Sequence, residues 1–97
     1  MERRLALLDV EIAWTAVDET VRSGRGGIDR AALRFGVHKS FVVDAVGRVE
    51  AVMGGHDFFV RKVRRVGEIT VAGDAFRRTA PKLISAWRAS SDAVADA

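Results

Sequence analysis

Glycines divide the first half of this chain into three stretches, each carrying a helical apolar pattern. The breaks are Ser23-Gly24-Arg25-Gly26-Gly27, Gly36 and Gly54-Gly55; glycine takes positive φ freely and weakens a helix by about 1 kcal/mol relative to alanine. Short helices joined by tight turns satisfy that punctuation. Over residues 4–22, Leu7, Val10, Trp14, Val17 and Val21 recur at three- and four-residue steps, and Leu5, Leu8 and Ile12 form a second apolar face. A helix apolar on two sides needs two partners, so the second face is assigned to contact with another chain. Asp29 is read as the N-cap of a short helix ending at Phe35, with Gly36 as its left-handed terminator. A third helix follows from Lys39 to about Met53, with Phe41, Val42, Ala45, Val46 and Val49 inward and Ser40 and Asp44 off that face.

Beyond Gly55 the pattern changes. Phe58-Phe59-Val60-Arg61-Lys62-Val63 reads as a strand, Arg64 to Gly67 as its turn and Glu68-Ile69-Thr70 as the returning strand. From Val71 the helical period returns in Phe76, Ala80, Leu83, Ile84, Trp87 and Val94, with Pro81 as an expected weak point and Ser90 to Ala97 as an expected frayed end. This order predicts a mainly α fold with a small β-hairpin wing. It is a winged helix-turn-helix over 1–70, with the motif at about 28–54 and the wing at about 57–70, followed by a long dimerisation helix over 71–97. Ala32, Gly36 and Val42 carry the motif spacing: a small residue where two helices cross, a glycine in the turn, and an apolar residue where the second helix packs back.

Charge adds a functional direction. The 97 residues hold 16 Lys and Arg against 13 Asp and Glu, a net charge of +3, yet the excess is central. Residues 1–20 carry two basic and five acidic side chains, residues 21–56 six and three, residues 57–67 four and one, and residues 68–97 four of each. A positive field in the middle of a small domain suits nucleic acid or an acidic surface. Arg61, Lys62, Arg64 and Arg65 crowd the hairpin, where a ribbon would project them at a DNA backbone or minor groove. Arg25, Arg30 and Arg48 are candidate phosphate contacts. Lys39 suits a guanine edge, Ser40 a base or phosphate, and His38 a phosphate. Asp44 would be repelled by phosphates unless it accepts from a cytosine amine or pairs with Arg48, and both remain open.

The stretch from Ile28 to Phe76 resembles the N-terminal DNA-binding domain of LysR-type transcriptional regulators, and is similar to that of molybdate-responsive regulators. The resemblance rests on Ala31-Ala32-Leu33-Arg34-Phe35-Gly36-Val37, on Val46 and Val49-Glu50, on Phe58-Phe59-Val60-Arg61 and on Ile69-Thr70-Val71-Ala72-Gly73. It implies that residues 71–90 form a linker helix pairing antiparallel with its twin in a homodimer. No sensor domain follows in this sequence, so either a stand-alone DNA-binding subunit or a fragment is expected, the former being favoured. Three departures stand out: His38-Lys39-Ser40-Phe41 at the start of the recognition helix, Val43-Asp44 where the family usually has a Ser-Arg pair, and Asp29 where it has a hydroxyl residue.

The expected function is sequence-specific double-stranded DNA binding by a homodimer at an inverted repeat, in transcriptional regulation, within a bacterial cytoplasm and on the nucleoid. A separate regulatory protein is a further expected partner. Leu5, Leu8, Ile12, Phe76, Ala80, Leu83, Ile84 and Trp87 are assigned to the dimer interface. The alternatives are a winged-helix protein-interaction module, a plasmid or phage partition protein, or a nucleoid architectural protein. No cofactor, metal or enzymatic activity is expected. Cys 0 excludes thiolate chemistry, two His without a third ligand at metal spacing argue against zinc, and no nucleophile-base arrangement or phosphate loop is present. Nor does any apolar run approach the roughly 20 residues of a membrane span.

Overall fold

The computed structural model describes residues 5–24, 26–60 and 68–96. They form α1 (Leu7–Ser23), α2 (Gly27–Phe35), α3 (Lys39–Val52) and α4 (Val71–Asp96). α1 is the centre of the molecule, in contact with α2, α3 and α4, while α2 also touches α3. Val10, Ile12, Ala13, Ala16 and Val17 of α1 are fully buried and meet Ala31 of α2, Val42, Ala45 and Val49 of α3, and Phe58, Phe76 and Ala80 in one core. The first helix is indeed apolar on two sides, but the second face is only partly covered: Ile12 is buried within this chain and Leu8 is exposed, while α4 contacts α1 at Glu11, Trp14 and Asp18. Ile12, Phe76 and Ala80, assigned from the sequence to an interface between copies, are interior residues.

Local chemistry sets the helix ends. The helix expected from residue 4 begins at Leu7, because the Asp9 carboxylate accepts from the Ala6 N–H at 3.0 Å and closes the first turn there. α2 starts two residues before its expected cap: Gly26, at φ 72°, is the N-cap, and Asp29 sits exposed in the first turn. Gly27 explains the shift. A Cβ at this position would lie 1.9 Å from Thr20 Oγ1 and 2.1 Å from the Ala16 carbonyl oxygen, so α2 enters against α1 where only glycine fits. Gly36 ends α2 in the left-handed region at φ 65°, as expected, with its N–H on Leu33 O and the Val37 N–H on Ala32 O. α3 covers the expected span less its last residue, Met53, which is its C-cap.

The expected β-hairpin wing is not seen among the described residues. Among the described residues there is no strand, only an isolated antiparallel bridge between Phe59 and Ile69, flanked by Val60 N–H to Glu68 O and Thr70 N–H to Phe58 O, each at 2.9 Å. Both flanks of the bridge are taken by other structure. Phe58 turns inward to stack on Phe76, with ring centroids 4.6 Å apart, and its N–H donates to Glu50 Oε2 at 2.6 Å. Thr70 leaves to open α4, its hydroxyl accepting from the Gly73 N–H at 3.0 Å as an N-cap and donating to Asp57 O. Residues 61–67, including the rest of the predicted hairpin, lie outside the described residues.

α4 passes through Pro81 without interruption and stays helical through Asp96, so the expected frayed end from Ser90 is absent. The proline removes the N–H that would have bonded the carbonyl four residues back, which is Arg77 O. That carbonyl instead accepts from Trp14 Nε1 of α1 at 2.9 Å. The tryptophan thus repairs the helix and ties it to the centre of the fold in one contact. Arg77 adds ion pairs to Asp18 of α1 at 3.2 Å and to Asp74 at 3.8 Å, and Arg88 pairs with Glu11.

Candidate nucleic-acid interface

α2 and α3 are joined by the short turn at Gly36-Val37-His38, with α3 held by its inner face. Val42, Ala45, Val46 and Val49 are buried, and Ser40, Val43, Asp44, Gly47 and Ala51 lie exposed on the opposite side. α3 packs on α1 and α2 and not on α4, which leaves that outer face exposed among the described residues. This exposed ridge is the surface that a helix-turn-helix presents to a groove.

The turn into α3 depends on His38. Its Nδ1 accepts from the Ser40 N–H at 3.1 Å and lies 2.9 Å from Ser40 Oγ, so the imidazole is the N-cap of the helix. The residue assigned to a phosphate thus has a structural task at that nitrogen, one that serine, threonine or aspartate more often performs. Lys39 and Ser40 are exposed in the first turn, and Arg30 is exposed on α2.

Arg48 is not a free phosphate contact. Its Nη2 donates to Asp9 Oδ1 at 2.8 Å, and its guanidinium lies over the Phe41 ring, 5.9 Å from the centroid. Asp9 is fully buried, so one carboxylate closes the first turn of α1 and anchors the side of α3. Arg48 therefore pairs with Asp9 and not with Asp44, which remains exposed and makes no ion pair among the described residues. Glu50 is a second buried acid with a structural role: its Oε2 receives the Phe58 N–H, and its carbonyl receives the Gly55 N–H at 2.8 Å. Asp9, Glu50 and Trp14 are among the polar contacts that pattern reading did not assign, as are Arg77 with Asp18 and the Thr70 cap. The spacing of Asp9 three residues after the helix entry was the available signal.

Arg25, Arg61, Lys62, Arg64 and Arg65 lie outside the described residues. The last four occupy the segment that joins Val60 to Glu68 across the Phe59–Ile69 bridge. Beside α3 opens a groove of about 810 Å³ lined by Ile28, Val43, Val46, Gly47, Phe59 and Val60 among others.

Of the remaining residues assigned to a dimer, Leu8, Leu83 and Trp87 are exposed and Leu5 and Ile84 are half-buried. Leu83 and Trp87 keep 41% and 38% of their surface although both are large and apolar. From Ser85 to Ala95 every residue of α4 is exposed. Among the described residues, no three His, Asp or Glu groups come together as a metal would require, and no helix is long and apolar enough to cross a membrane. No family model, curated protein or solved structure matches the chain.

Proposed function

We propose that this protein binds double-stranded DNA sequence-specifically as a homodimer, in transcriptional regulation of the kind its resemblance to LysR-type regulators implies. The observation that carries the reading is the outer face of α3, exposed among the described residues and following a turn closed by Gly36 and capped by His38. Lys39 and Arg30 lie exposed at the start of α3 and on α2, and the chain delivers four further cations between the bridged residues Phe59 and Ile69. That arrangement suits base contacts from α3 and phosphate contacts from the basic segment.

The second copy is assigned to the distal half of α4. From Ser85 to Ala95 every residue of α4 is exposed, although Arg88 pairs with Glu11 of α1. Leu83, Trp87 and Val94 share one exposed stripe along this half of the helix. Two-fold pairing through it places two copies of α3 on one side of a duplex, at half-sites spaced by whole helical turns of about 34–36 Å.

The test is binding to fragmented GC-rich genomic DNA across a salt series, with the bound pool sequenced. An enriched inverted repeat supports the proposal. Reversing charge at Arg64 and Arg65 is expected to abolish binding, whereas removing one phosphate contact is expected to lower the slope of log K against log salt by about 0.9. The apolar groove beside α3 favours a second reading, a protein-interaction module, in which no DNA is recovered and the same charge reversals disrupt a protein complex.

A further inference from the structure

We infer that α3 reads pyrimidine edges in the major groove, with Val43 against the C5-methyl of a thymine and the Asp44 carboxylate accepting from the N4 amine of a cytosine. The inference rests on the DNA-binding reading and deepens it to the bases recognised.

Three observations combine. The arginine of α3, the side chain best suited to the O6 and N7 acceptors of guanine, is withdrawn: Arg48 is held by Asp9 and lies over Phe41 at the side of the helix. With Arg48 occupied, Asp44 stands exposed on the DNA-facing side with no cation among the described residues to neutralise it. A carboxylate there is repelled by phosphates and by the guanine acceptors. Of the base edges in the groove only the exocyclic amines of cytosine and adenine donate to it, and the adenine amine sits beside the N7 acceptor, which repels the second carboxylate oxygen. Cytosine remains.

Val43, one position earlier, is 51% exposed, and the thymine methyl is the apolar group the major groove offers it. On the next turn, nothing lies within 4 Å of where a Gly47 Cβ would be. With no side chain at that position, the helix can approach the base edges closely enough for the short Val43 and Asp44 side chains to reach them.

The experiment is selection of bound sequences from a random duplex pool at near-physiological salt, using the full chain and the variants Asp44→Ala and Val43→Ala. Both positions are exposed, and circular dichroism checks that each variant keeps its helices. The wild type is expected to enrich half-sites with a fixed cytosine and a fixed thymine. Asp44→Ala loses the preference at the cytosine alone. Replacing the thymine by uracil, which removes only the methyl, weakens wild-type binding about fourfold, as one buried methyl predicts, and leaves Val43→Ala nearly unaffected. An unchanged motif in Asp44→Ala, with every duplex bound more tightly by the same factor, overturns the inference while DNA binding stands, because Asp44 then only repels phosphate. Failure of the wild type to bind any duplex removes the DNA reading as well.

Discussion

Trp14 and Pro81 form a pair that neither residue announces alone. The indole N–H occupies the Arg77 carbonyl that the proline leaves unpaired, so the two substitutions should couple. Trp14→Phe is expected to cost about 2 kcal/mol by stranding that carbonyl and losing indole packing. In a Pro81→Ala background, where the new backbone N–H can bond Arg77 O, the same change should cost less. Urea unfolding of the two single variants and the double variant measures the coupling, and additive costs would show that the repair contributes nothing. His38 gives a second test at this scale. His38→Ala should destabilise by about 1 kcal/mol through loss of the α3 cap, and His38→Asp should restore much of it. A phosphate-binding histidine would instead lose DNA affinity with no change in stability. Arg48→Met is expected to cost about 3 kcal/mol, because it takes the α3 cation from a fully buried carboxylate.

Between elements, contact is decided by glycines at close approaches. At Gly27 an added Cβ meets both a side chain and the backbone of α1, and at Gly73 it meets the Phe58 carbonyl oxygen at 2.3 Å. Neither backbone can move without separating two helices or breaking the contact between Phe58 and α4. Gly27→Ala and Gly73→Ala should each lose about 2–3 kcal/mol or more, whereas Gly47→Ala, with open space around it, should be neutral or stabilising by up to about 1 kcal/mol. Thermal unfolding of the three variants tests that ordering. The helices were legible in the sequence because the three- and four-residue apolar recurrence and the Gly36 stop are local signals, written in neighbouring residues. The wing was misread because Phe58-Phe59-Val60 and Ile69-Thr70 carry β-forming side chains, yet among the described residues pairing stops at the single Phe59–Ile69 bridge and the tertiary fold uses Phe58 and Thr70 for other ends. Phe58 goes to the core against Phe76, and Thr70 caps α4.

At the scale of the whole molecule, α4 changes role along its length. Its first half completes the core through Phe76 and Ala80, and from Ser85 onward its residues are exposed, in a molecule that extends 51 Å along its longest axis against 28 and 26 Å across. Under the proposed dimer, Leu83→Lys with Trp87→Glu should give a folded monomer in sedimentation equilibrium and weaken binding to an inverted repeat far more than to a single half-site. A dimer that survives both substitutions would place the interface elsewhere. The candidate interface was legible in part. Lys39, Ser40 and Arg30 are exposed as their pattern implied, but Arg48 and His38 are occupied within the fold, and Ile12, Phe76 and Ala80 are interior residues.

The sequence by itself determined where helices begin to be unfavourable and which face of each is apolar, because both follow from glycine placement and from side chains three and four positions apart. It also determined the central excess of positive charge. Only the tertiary structure decided which apolar face meets which. Ile12, Phe76 and Ala80 look the same in the sequence whether a partner chain or the chain's own core covers them, and only the path of the chain distinguishes the two. The same holds for polar groups. Asp9 and Arg48 are 39 residues apart and Trp14 and Arg77 63 apart, so no local pattern could pair them, and it is those pairings that hold Arg48 away from Asp44 and carry α4 through its proline.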